Sequence, residues 1–415
     1  MLSRRRFLGT GSAALAAATL SPRPARASGG DRKFIFVVAT GGWDPTRVFA
    51  TTFDRPLISM EPAAQLGQVG NLAFVDHAER PQVRAFFERY HSSTLIVNGL
   101  SVPSLSHSEC LSLGMTGVSG ARAPDWPVII AARSTTSYGL PHVVIRGPQF
   151  PGTLGGFVTR VGRGHIEPVL TGAILAESDA AVIGPSAAAK ARMDQWIRTR
   201  AELRTAGARG LRKRELCERY DTALERSRTL ESLVGQVAWD TDGAFEREVD
   251  LAIDLLGLGV SRCLTLQFLE LEHWDSHADN DATQSGNFGY LFESLTYLME
   301  QLEATPGTSA PTLADETVVV VMSDMGRTPQ LNGGQGKDHW GASSAMLVGP
   351  GFTGDRVIGG FTEYYYGDTI DPASGELATT GQVLTGAVYG ATLLKIADVD
   401  PVEFLDASAV DGVIV

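Results

Sequence analysis

The sequence predicts an α/β fold with a mostly parallel central sheet, and three stretches carry that reading. Residues 317–321 (TVVVV) and 33–39 (KFIFVVA) are short apolar runs rich in branched side chains, with no polar face. Such runs suit strands buried on both sides. Residues 263–269 (CLTLQFL) form a third. Each run gives way to polar, chemistry-bearing residues. Asp44 follows the first in chain order, Asp275 and His277 the second, and Asp324 the third. In open α/β sheets, ligands bind beyond the carboxyl ends of the strands.

The chain has 415 residues, 43% hydrophobic and 20% charged. That is enough for one large α/β domain or two smaller ones, and no apolar run is long enough for a stable membrane span. The N-terminus reads as a targeting segment. Residues 3–8 (SRRRFL) precede an Ala/Gly-rich apolar run over 9–20, and Ala25-Arg26-Ala27 supplies a cleavage site. This is the pattern of a twin-arginine signal peptide over residues 1–27, predicting a periplasmic or secreted protein. Residues 28–415 then form a single domain. Removing residues 1–27 removes five arginines and no acids, so 35 basic against 47 acidic residues becomes 30 against 47, a charge of −17. A chain so acidic repels nucleic acid and anionic lipid as a whole. The three cysteines, Cys110, Cys217 and Cys263, do not form a disulfide framework.

In chain order, residues 33–39 run into Thr40-Gly41-Gly42-Trp43-Asp44, where the glycines permit a sharp turn. Residues 45–78 give no periodic signal. Residues 79–91 read as a helix around Pro81, and 94–97 as a strand. Ser106 opens a helical stretch, SHSECLSLGMTG, as either an N-cap or a hydroxyl nucleophile at a helix N-terminus. Asp125 caps a helix running to Arg133, and residues 142–146 are a strand. Residues 147–185 read as an irregular connection. From about 187 to 236, charged residues alternate with Ala and Leu, predicting a helical hairpin inserted between sheet elements, basic in its first half. Residues 244–257 form an amphipathic helix. Residues 287–302 and 381–396 read as helices, and 344–348 as a strand.

The acids at the strand ends constrain the chemistry. Asp44, Asp275 and Asp324 on one face would repel one another, and a divalent cation relieves that repulsion. With His277 and His339 beside them, the mixed donor set fits Zn or Mn better than Ca or Mg. Arg327, three residues past Asp324, suits either an anion clamp on a substrate or an ion pair that closes the loop.

The segments VATGGWD, SHSECLSLGMTG, EHWDSH and SDMGRTP…GKDHWG resemble those of the domain of unknown function 1501 family, in the family's order and over roughly residues 31–400. The resemblance implies the alkaline phosphatase–sulfatase superfamily: a three-layer α/β/α sandwich with a metal site. It implies that Asp44 is the first-strand metal ligand, that Asp275 and His277 are the middle pair, and that His339 is the last histidine ligand. Asp324 falls where the family has a glutamate, and His107 supplies a further ligand. Cys110 is followed by Leu-Ser-Leu rather than a sulfatase C-x-P-S-R, which leaves Ser106 as the candidate nucleophile. A small anionic phosphate or sulfate ester is the implied substrate. A non-catalytic metal- or anion-binding protein on the same scaffold is the alternative.

The export reading has a direct test. Replacing Arg4 and Arg5 with lysine should hold the precursor in the cytoplasm, read by fractionation and immunoblotting. Undiminished export of that variant would reject the assignment.

Overall fold

The computed structural model describes residues 31–120, 122–161, 185–233, 235–239, 241, 243–268 and 274–415. The expected signal segment, most of the connection over 147–185, and Glu270 to His273 lie outside the described residues. Among the described residues the main sheet has eight strands: β1 (Lys33–Ala39), β2 (Thr94–Ser101), β3 (His142–Val144), β4 (Val158–Arg160), β5 (Cys263–Gln267), β6 (Thr317–Ser323), β7 (Ala342–Val348) and β8 (Arg356–Gly359). Their order is β8-β2-β7-β6-β1-β5-β3-β4. Every neighbouring pair is parallel except the two that involve β7, which runs antiparallel to β2 and β6. This is a mixed α/β fold with a large, mostly parallel central sheet, as the buried-strand patterns predict.

Among the described residues, the α-helices are α1 (Pro81–Tyr90), α2 (His107–Thr116), α3 (Trp126–Ala132), α4 (Ala187–Ala206), α5 (Leu211–Ser232), α6 (Phe245–Gly257), α7 (Asn280–Ala304) and α8 (Gly386–Ile396). Alternation along the strands divides the core between two faces. Ile35, Val37, Val319 and Val321 pack with Phe86 and Phe87 of α1 and with Phe292 and Leu295 of α7. Phe34, Phe36, Val318 and Val320 pack on the opposite face with Trp126 and Ile130 of α3 and with Leu393 and Leu394 of α8.

Several elements differ from the sequence reading: α8 begins at Gly386 rather than 381, after a short strand at Gln382–Val383, and β4 stands inside the connection read as irregular. Helix α7 begins at Asn280 rather than 287, because its first turns bury polar Asn280 and Gln284 and show no apolar stripe. Residues 45–78 contain a β-hairpin, Gln65–Val69 with Leu72–Asp76, across Gly70 and Asn71.

The amino ends of β1 and β6 are locked by a buried pair. Lys33 Nζ lies 2.7 Å from Glu316 Oε1 and donates to the Leu256 carbonyl at 3.0 Å. Burial pulls the lysine ammonium below its ordinary value, and Glu316 offsets this only in part. Burial raises the Glu316 carboxyl, but bonds from Lys33 and Ser309 hold it down to about 2. Lys33→Met should therefore cost about 3–5 kcal/mol in urea unfolding, because it strands a buried carboxylate. The Glu316 contribution is present above the unfolded carboxyl value of about 4.3 and is lost as pH falls toward about 2. Stability should thus fall more steeply in acid for the wild type than for Glu316→Gln.

Candidate metal centre

The site forms where β1, β6 and the segment after β5 end together. After β1 the chain turns at Gly41 and Gly42, whose φ angles are +120° and +78°. A side chain there would strike Trp274 Cβ at 2.9 Å and Met325 Cγ at 2.9 Å, so the glycines are required by space as well as by backbone. Their N–H groups both donate to Asp324 Oδ1, at 3.0 and 2.8 Å. The buried Asp324 accepts His107 Nδ1 on its other oxygen, Oδ2, at 2.6 Å. His107 opens α2, so this one bond sets the first turn of that helix against the sheet. It also raises the His107 imidazole above its ordinary value, against the opposing effect of burial.

Three imidazoles share one arrangement. His107 Nδ1 bonds Asp324, His277 Nδ1 lies 2.8 Å from Asp338 Oδ1, and His339 Nδ1 lies 2.7 Å from the Leu105 carbonyl. A carbonyl or carboxylate oxygen accepts, so in the neutral rings the proton is assigned to Nδ1 and the lone pair to Nε2. All three Nε2 atoms face Asp275: His277 and His339 lie 3.0 Å from Oδ1, and His107 lies 3.6 Å from Oδ2. His277 Nε2 and His339 Nε2 are 3.1 Å apart. Lone pairs packed this closely need a proton or a cation between them. Ligand atoms of His107, Asp275 and His339 all lie within 4.8 Å of one another. Tetrahedral zinc with bonds of ~2.0–2.1 Å spaces its ligands roughly 3.3–3.5 Å apart, so the donor set fits a divalent cation.

Of Asp44, Asp275 and Asp324, only Asp275 is left accessible. Burial pushes its carboxyl up, but Arg327, His339 and His277 hold it down to about 2. Arg327 Nη2 lies 2.6 Å from Asp275 Oδ1.

The remaining expected residues stand elsewhere. The fully buried Asp44 is not brought to the imidazoles. Its Oδ2 takes Lys337 Nζ at 2.8 Å and Asn280 Nδ2 at 3.0 Å, and its Oδ1 caps Thr46. Burial would raise this carboxyl, but the charges of Lys337 and Arg47 hold it well below the carboxylate range. Asp324 differs from the expected ligand role, since both its oxygens are taken by backbone N–H groups and His107. Arg327 differs from the expected anion clamp. It is fully buried, with Nε on the Gly42 carbonyl at 2.7 Å, Nη1 on the Lys337 carbonyl at 3.1 Å and Nη2 on the Gly41 carbonyl. Its donors close the loop. Ser106 sits at the N-cap of α2, but its hydroxyl makes no cap bond and lies exposed, 3.3 Å from the Ser108 hydroxyl.

Sequence reasoning missed Lys337 and Asp338 as working residues. Their signal was adjacency to His339 in GKDHWG. A pair of variants separates supporting residues from ligands. Asp324→Asn should weaken metal binding about 10–100-fold by releasing His107, measured by titration with zinc. Asp44→Asn should leave that affinity unchanged and instead lower stability by about 3–5 kcal/mol, because Lys337 loses its counter-charge.

No curated protein matches the chain. Among solved structures, the chain is similar to Ps i-CgsB in complex with k-i-k-neocarrahexaose, at 12% identity and a TM-score of 0.41, with 91% of this chain and 75% of that one covered. It is similar to a 2-O GAG sulfatase at 10% identity and a TM-score of 0.37, covering 91% of this chain and 73% of that one. It is also similar to an alkaline phosphatase superfamily protein from Vibrio parahaemolyticus at 9% identity and a TM-score of 0.30, covering 80% and 64%. At these scores the likeness is loose, and the chemistry of the site rests on its own residues. Residues 187–400 match the family described as protein of unknown function (DUF1501), and the chain belongs to that family.

Proposed function

We propose that the chain is an exported, metal-dependent hydrolase of small phosphate or sulfate esters, with His107, Asp275 and His339 holding the metal. The observation that carries this reading is the convergence of Nε2 atoms on Asp275, each ring tied back through Nδ1. A divalent cation there, zinc or manganese by its donor set, would polarise an ester oxygen and lower the pKa of a water or hydroxyl. Asp275 is kept ionised and oriented by Arg327. His107 and His339 are held by Asp324 and by the Leu105 carbonyl. Helix α2 supports an anionic ligand, since it starts at the cluster and Ser106 leaves its N-terminus without a side-chain cap. The exposed Ser106 hydroxyl, next to His107, is the attacking group in this reading.

A second reading has its own observation. His277 Nε2 lies as near to Asp275 and His339 as a fourth ligand would. Catalytic zinc sites keep a position open, whereas closed four-ligand sites are structural. If His277 closes the site, the protein binds its metal or an anion without catalysis.

Metal analysis and hydrolysis of p-nitrophenyl phosphate and p-nitrophenyl sulfate separate the readings. Under the hydrolase reading, Asp275→Asn loses both metal and activity. Ser106→Ala keeps the metal and loses at least about 10³-fold in kcat. His277→Ala keeps a stoichiometric metal. A wild type that holds metal but hydrolyses neither ester, with His277→Ala losing the metal, would favour the binding protein.

A further inference from the structure

The hairpin of α4 and α5 reverses the charge of the chain around it. No acid lies between Glu202 and Glu215, while Arg204, Arg209, Arg212, Lys213 and Arg214 crowd the end where the two helices turn. Among the described residues, none of these five cations has an ion-pair or side-chain hydrogen-bond partner. From 202 to 220, every residue except Ala208 and Cys217 is exposed. Two leucines flank the turn in the same exposed setting, Leu203 at 69% and Leu211 at 85%. Further along α4, Trp196 is 62% exposed, and the Arg200 guanidinium lies 5.3 Å from its ring centroid.

We propose that this tip docks on an anionic lipid surface, with Leu203 and Leu211 entering the headgroup boundary while the cations meet lipid phosphates. Exposed leucines beside unpaired cations are the composition of interfacial helices. The formal charge of −12 on the whole chain does not prevent this, because screening over about 8 Å leaves the local patch in control at contact. The other occupants fit less well. A second copy would bring the same five cations against these. An acidic polypeptide would match the charge but leave the leucines in water. No helix among the described residues is long and apolar enough to cross a membrane, so the contact is a surface one.

The test is co-sedimentation of the full chain with vesicles of equal phosphatidylglycerol and phosphatidylcholine, and with phosphatidylcholine alone. The paired variants are Arg212→Gln with Lys213→Gln, and Leu203→Ser with Leu211→Ser. All four positions are exposed, so the fold should survive, checked by thermal melting. Residues 1–30 are common to every variant, so differences report the tip. Binding is expected only to the anionic vesicles and to weaken with salt. The charge pair should lower it about 25-fold, near five-fold per cation, and the leucine pair at least about ten-fold. Equal binding by all variants, or none by the wild type, overturns the proposal. So does undiminished binding by the leucine pair with capture on polyglutamate, which would assign an acidic polypeptide. A dimer in sedimentation velocity that the leucine pair abolishes would assign a second copy instead, and also overturns it.

Discussion

The carboxylate of Asp324 holds the site together. It is fully buried, and an unpaired charge there would be costly. Its partners come from three separate parts of the chain: the Gly41 and Gly42 amides after β1, the Ser323 hydroxyl at the end of β6, and His107 at the start of α2. Removing any of them leaves lone pairs unmet. The same turn offers its two carbonyls to Arg327, so the glycine pair presents donors to an acid and acceptors to a base. Arg327 in turn reaches Asp275. A rigid backbone turn is thus converted into the position of one imidazole and one carboxylate.

Three acids gather at the strand ends, and each is neutralised in its own way. Asp44 has Lys337 and Arg47. Asp324 has amides and His107. Asp275 has Arg327 and the imidazoles, and it alone keeps substantial access to solvent. Mutual repulsion is therefore relieved mostly by protein groups. The donor set fits a cation only at Asp275, where the Nε2 atoms of three imidazoles crowd and either a proton or a cation relieves them.

Much of the fold was legible because burial on both faces writes itself as unbroken apolar runs: β1 matches its sequence pattern end for end, and Asp125 caps α3 where expected. What was not legible depended on polar burial or on distant pairing. The first turns of α7 look like loop because Asn280 and Gln284 serve Asp44 rather than an apolar core. The hairpin after Ala64 did carry a Gly-Asn turn signal, but one strand is largely exposed and short of apolar residues. At the site, the strand-end position picked out Asp44, Asp275 and Asp324, which the structure pairs with three different sets of partners. It could not assign those partners, because the bond from His107 to Asp324 spans 217 residues.

The antiparallel β7 explains how so much of the site comes from one loop. A crossover after β6 would have carried the chain away to the amino ends of the strands. Because β7 instead returns beside β6, the connection folds back over the carboxyl edge, pinned by the short ladder in which His339 pairs with Arg327 and Trp340 with Gly326. Three consecutive residues meet three different groups: Lys337 reaches inward to Asp44, Asp338 holds His277, and His339 faces Asp275. An insertion or deletion of one residue here would displace all three side chains at once, taking the ammonium from a buried carboxylate and an imidazole from the cluster together. The reversal of one strand therefore couples the stability of the buried edge to the geometry of the open centre.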